Sequence, residues 1–86
     1  MAKYRVVFKR SVYKDLRPIS KTDLKRILAR IDELADDPRG HGCEKLSGQE
    51  RYRVREGVYR IVYEIVDDRL FVTVARIGHR RQGYER

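Results

Sequence analysis

Tyr4, Val6 and Phe8 alternate with Arg5, Val7 and Lys9 near the start of the chain, the period-two pattern of a strand with one face buried. Ser11 is positioned to cap a short helix that turns Val12, Tyr13 and Leu16 inward and stops at Pro18. A longer helix follows. Ser20 is its expected N-cap and Asp23 stands at the third helical position. Leu24, Ile27, Leu28, Ile31, Leu34 and Ala35 recur at helical spacing as one apolar stripe, so they are expected in the core. Lys25, Arg26 and Arg30 fall on the opposite, solvated face. Asp37 before Pro38 ends this helix, and Gly40 and Gly42 open a loop.

From Arg51 the period changes to two. Arg51 to Glu56 alternates, Gly57-Val58 supplies a two-residue turn with glycine first, and Tyr59 to Val66 continues the alternation. Asp67-Asp68 is the next turn, and Leu70 to Ile77 the last strand. The order β-α-α-β-β-β predicts an α+β fold over residues 1–86 as a single domain: a small antiparallel sheet with two N-terminal helices packed on one face.

The Gly57-Val58 turn also predicts a register. Glu56 pairs with Tyr59, Arg55 with Arg60, Val54 with Ile61 and Tyr52 with Tyr63. Tyr52, Val54, Ile61, Tyr63 and Ile65 then face the helices, with Leu70, Val72 and Val74 beside them. Arg53, Arg55, Arg60 and Val62 face outward, next to Thr73 and Ala75. Like charges directly opposite each other weaken a sheet, so an Arg55–Arg60 pair is a poor choice for stability alone. A phosphate reverses that cost, because guanidinium groups offer planar, bidentate donors to its oxygens. If the strand persists past Gly78, His79 shares a face with Ala75 and stands beside Arg60.

Composition sharpens this picture. The formal charge of +8 and pI near 10.0 favour a polyanionic partner, while 41% hydrophobic residues are enough for a core despite 40% charged ones. Cys43 is the single cysteine, so the chain makes no internal disulfide and holds no cysteine-based zinc site. Met1 to Arg10 does not have the form of a signal peptide, and no apolar run approaches the ~20 residues of a membrane span, so a cytoplasmic protein without membrane contact is expected. No phosphate-binding glycine loop, metal-ligand spacing, serine-nucleophile motif or carboxylate cluster is present, and no metal or cofactor is expected. Asp36-Asp37 and Asp67-Asp68 sit at a helix end and a turn, where acids are ordinary. His41 reads as a surface residue. What remains is an imidazole, a phenol and several guanidiniums within the last strand and the tail after it, which are parts suited to phosphodiester cleavage.

The segments Lys45-Leu46-Ser47-Gly48, Tyr52-Arg53-Val54-Arg55, Gly57 to Tyr63, and Ile77-Gly78-His79-Arg80-Arg81 with Tyr84 together resemble the RelE/ParE toxin superfamily, and its RelE branch most. Tyr4 to Leu16 and the Leu34 to Pro38 helix end fit the same pattern, so the resemblance covers nearly the whole chain. It implies a type II toxin that enters the ribosomal A site, cuts mRNA there, and is silenced by a cognate antitoxin. Arg60, Arg80, Tyr84, Arg55 and His79 are the residues matched to catalysis. Arg53, Arg51, Arg81 and Lys45 are expected to hold RNA. The implied chemistry is metal-independent transesterification, in which the 2′-hydroxyl attacks the adjacent phosphorus. Arg60 and Arg80 clamp the phosphoryl oxygens, and Tyr84 or His79 acts as acid or base. The competing expectation on the same fold is a ParE-type toxin that inhibits DNA gyrase without cutting RNA.

Overall fold

The computed structural model describes residues 3–46 and 50–79. Strand β1 (Arg5–Phe8) leads into the short helix α1 (Val12–Leu16) and the long helix α2 (Lys21–Asp36). Strands β2 (Glu44–Lys45), β3 (Arg51–Glu56), β4 (Tyr59–Val66) and β5 (Phe71–His79) follow. They form one sheet in the order β1-β5-β4-β3-β2. The α+β fold with its helices against one face of the sheet is as the sequence predicts.

Helix α2 starts where its cap says it should. The Ser20 hydroxyl accepts from the Asp23 N–H at 3.2 Å, a bond worth about 1 kcal/mol to a helix. Ile27, Ile31, Leu34 and Ala35 are buried along one stripe, while Leu28 at its margin is exposed. In α1 only Val12 is buried and Tyr13, expected inward, is exposed. One and a half turns have room for one apolar edge and no more.

The β3–β4 hairpin keeps the predicted register, including Arg55 opposite Arg60 and Tyr52 opposite Tyr63. Gly57 has φ +61, the left-handed value that the first position of this tight turn demands and that glycine adopts without strain. Tyr52, Val54, Ile61, Tyr63, Ile65, Val72 and Val74 are buried against the helices. The Tyr52 and Tyr63 rings stack at 5.9 Å. The Tyr63 hydroxyl donates to the Pro38 carbonyl at 2.6 Å, tying the end of α2 to the sheet. Burial pushes that phenol well above its usual 10.0.

Four features depart from the expectation. Strand β1 joins β5 in parallel, with Arg5 opposite Phe71 and Phe8 opposite Val74, so the sheet is mixed at that edge. The crossover through both helices between β1 and β5 permits this, since parallel neighbours need a long connection. Second, Glu44–Lys45 adds a two-residue strand along β3. Third, Leu70 is not the inward start of the last strand. It is exposed with φ +56 and closes the turn that Asp67 opens. Fourth, β5 carries a bulge: Val62 pairs with Arg76 but Tyr63 pairs with Val74, leaving Ala75 as the extra residue.

Candidate nucleic-acid interface

The bulge redraws the outer face of the sheet. Val72 and Val74 point to the helices, and strict alternation would send Arg76 after them. The extra residue at Ala75 shifts the parity instead. Ile77 enters the core at 4% exposure and Arg76 is exposed on the outer face, opposite Val62. Gly78 then stands opposite Arg60, and His79 opposite Tyr59.

Two adjacent rows of residues cross the strands there. One runs Arg76, Val62, Arg53, Glu44, and the other Gly78, Arg60, Arg55. Neighbouring strands lie about 4.8 Å apart, so Arg76 and Arg53 flank Val62 at a separation their side chains can span. Leu46, Arg53, Arg60, Val62, Arg76 and Gly78 line a cavity of about 110 Å³. Val62 forms its apolar floor, and Gly78, opposite Arg60, contributes no side chain to it. Arg53 is oriented by the Glu44 carboxylate across the β2–β3 pair.

Further along the sheet the charges are matched. The Arg51 guanidinium meets Glu64 at 2.6 Å, and Lys9 reaches the same carboxylate at 3.7 Å. Chiefly the Arg51 hydrogen bond holds Glu64 below its ordinary value, against the opposing effect of burial. Arg51 is therefore committed to a cross-strand ion pair two residues away from Arg53. Arg55 is exposed at the far end, and it also borders a shallow cavity with Arg30, His41 and Glu44. Lys45 lies opposite Tyr52, hence on the helix face, and its ammonium is 3.1 Å from Glu50. The structure thus brings Arg53, Arg60 and Arg76 together with Arg55 at their margin, and does not bring Lys45 to them.

His79 is also not beside Arg60. The shift at Ala75 puts it on the helix face, where its ring meets Tyr59 edge-on at 5.4 Å and 79°. The Tyr59 hydroxyl lies 3.3 Å from the Asp23 carboxylate, and burial first, then that charge, raises the phenol above 10.0. Tyr59, His79, Lys14, Asp15 and Ile19 line a second cavity of about 360 Å³ between α1 and the end of β5, and Arg76 and Gly78 border both cavities. Arg80, Arg81 and Tyr84 lie outside the described residues.

Sequence reasoning missed Arg76. The available signal was an arginine followed by isoleucine where alternation called for the reverse, which is how a bulge reads in a strand. It also missed Glu44, because a two-residue strand leaves no period to detect.

Chemically, the cavity offers guanidinium donors from three successive strands around an apolar floor, an arrangement suited to a phosphodiester with its sugar. No helix of the described residues is long and apolar enough to cross a membrane.

The family model described as the ParE toxin of the type II toxin–antitoxin system parDE matches residues 6–84. A protein of Methanocaldococcus jannaschii, named as a candidate toxin RelE1, is 28% identical over 87 residues, covering 96% of this chain and 97% of its own. The crystal structure of a RelB–RelE antitoxin–toxin complex from Methanococcus jannaschii superposes with a TM-score of 0.74 at 28% identity, over 92% of this chain and 95% of that one. A doubly substituted Escherichia coli RelE toxin in the free state gives a TM-score of 0.80 at 26% identity, over 99% and 90%. In fold the chain is also similar to RelE in the archaeal RelE–RelB complex from Pyrococcus horikoshii, with a TM-score of 0.78 at 24% identity over 94% and 99%.

Proposed function

The chain belongs to the ParE toxin family of type II toxin–antitoxin systems, and from that premise we propose that it is a RelE-type toxin that cuts mRNA on the ribosome. The observation that carries this reading is the convergence of Arg53 and Arg60 on one small outer-face cavity, with Arg55 directly opposite Arg60. Guanidiniums crowded in this way weaken a sheet when they face only water, and gain when a phosphate lies among them. The likeness to RelE proteins from three organisms supports the same branch.

The reaction is transesterification within the RNA. The 2′-hydroxyl loses its proton and attacks the adjacent phosphorus, and the bond to the 5′-oxygen breaks as that oxygen gains a proton. The products are a 2′,3′-cyclic phosphate and a 5′-hydroxyl. Arg60, with Arg80, stabilises the negative charge that builds on the phosphoryl oxygens, which is where fixed donors lower a barrier most. Arg53 and Arg55 orient the backbone, with Arg81 as a further cationic contact. Proton transfer falls to Tyr84 rather than His79, since His79 stands on the helix face against Tyr59.

An antitoxin partner follows from the same kinship, as the Methanococcus jannaschii and Pyrococcus horikoshii RelE proteins were crystallised with RelB. A strongly basic toxin surface suits a partner rich in acidic residues.

The test is to incubate the purified protein with programmed ribosomes and map cuts by primer extension. Wild type is expected to cut, and Arg60→Ala to cut roughly 10²–10³-fold more slowly. Equal rates would remove Arg60 from the site. The family model's ParE designation favours a second reading, inhibition of DNA gyrase. A supercoiling assay on the same preparation decides it: inhibition of gyrase with intact message would replace the nuclease reading.

A further inference from the structure

Resting on the RNA-cutting reading, we infer that Arg76 is a third substrate-contacting arginine, delivered to the phosphate cavity by the β-bulge at Ala75. The sequence pattern around it calls for an apolar residue at this position. Val72 and Val74 are fully buried, and one more step of two along a regular strand would bury residue 76. The extra residue between the Tyr63–Val74 and Val62–Arg76 pairs turns Arg76 outward and lets Ile77 take the core position. A bulge interrupts the hydrogen-bond ladder and re-aims one side chain, and such devices concentrate beside functional sites.

The placement is specific. Arg76 shares its row with Val62 and Arg53, one row from Arg60, and its own neighbour two residues on is Gly78. All of these line the same cavity together with Leu46. A phosphate standing over Val62 has Arg53 on one side, Arg76 on the other and Arg60 along the strand. Three strands thus each contribute one guanidinium, so the cluster responds to a single tetrahedral anion from three directions. A third guanidinium beside two others raises the positive potential over the cavity, which an anion of the size of a phosphodiester complements.

The test uses the full 86-residue chain and a short single-stranded RNA with every 2′-hydroxyl methylated, which cannot be cut by this chemistry. Affinity is measured by fluorescence anisotropy across a series of salt concentrations. A lost phosphate contact lowers the slope of log affinity against log salt by about 0.7 for a single strand. Arg76→Ala is expected to show that loss, with affinity falling roughly tenfold at low salt. Arg76→Lys, which keeps the charge, should retain the slope. Arg69→Ala, in the β4–β5 turn, should match wild type in both measures. Circular dichroism confirms that each variant is folded.

An Arg76→Ala protein with wild-type slope and affinity, beside an Arg60→Ala protein that loses both, overturns this inference and leaves the function standing. A wild-type protein that neither binds the RNA nor cuts message overturns both.

Discussion

Arg39 joins three loops with one guanidinium. Its Nη2 meets Glu50 at 2.5 Å and Asp67 at 2.8 Å, its Nε donates to the Tyr52 hydroxyl at 3.1 Å, and Tyr4 donates to Asp67 at 2.9 Å. The segment after α2, the approach to β3 and the β4–β5 turn are thereby held at one end of the sheet. Arg39 is the main cause that holds Glu50 below 4.5, with Lys45 second, and the main cause that holds Asp67 below 3.8, with Tyr4 second. Carboxylates depressed in the folded state stabilise it fully above their unfolded values. That contribution fades as pH falls from there and is gone below the folded values. The urea midpoint is therefore expected to drop on acidification from about pH 5 downward, and Arg39→Met should flatten this dependence while lowering the midpoint at pH 7. An unchanged acid slope in the variant would remove Arg39 as its source. None of this was legible beforehand, because Glu50 and Asp67 lie 11 and 28 residues from Arg39 and only the tertiary fold unites them.

At the scale of elements, the β3–β4 hairpin could be read in full. A glycine-first turn fixes parity and both strands alternate cleanly, so one pairing satisfies every position, including Arg55 with Arg60. Strand β5 was legible only as far as Val74. Beyond it the Arg76-Ile77 order is the one trace of the bulge in the sequence, and the neighbour along that part of the edge is α1 rather than β1. Strand β1 covers β5 through Val74, after which the Asp15 carboxylate accepts from the Ile77 N–H at 3.0 Å and takes over the edge. A short helix thus substitutes a side chain for a missing strand, just where Arg76 and Gly78 border the cavity. Asp15→Ala leaves that amide without its acceptor, and faster hydrogen exchange at Ile77 is expected, with the β3–β4 amides unchanged. Exchange at Ile77 as slow as in wild type would show that Asp15 does not secure this edge. The parallel docking of β1 had no local signal either, since period two in a four-residue strand says nothing of direction.

The whole molecule sets a helix-covered face of the sheet against a face of arginines paired with a few acids. With a net charge of +8 on 86 residues, the folded state concentrates like charge that the unfolded chain spreads out. A polyanion seated on the outer face relieves that repulsion and binds the folded state more tightly than the unfolded chain, so it should stabilise the protein by mass action. At a hundredfold excess over the dissociation constant the gain is about 2.7 kcal/mol. For a domain of this size that corresponds to a rise in Tm of roughly 10–20 °C. A fully 2′-O-methylated single-stranded RNA is expected to produce such a rise at low salt and to lose most of it near ~0.5 M salt, as counterion release weakens. Each protein must be compared with its own unliganded Tm, because replacing Arg60 also relieves the Arg55–Arg60 repulsion. On that basis a double Arg53→Ala, Arg60→Ala variant should keep well under half of the wild-type shift. A shift of the same size in both proteins would move the polyanion to another basic surface, and the cavity between β3, β4 and β5 would no longer be the place where phosphate is held.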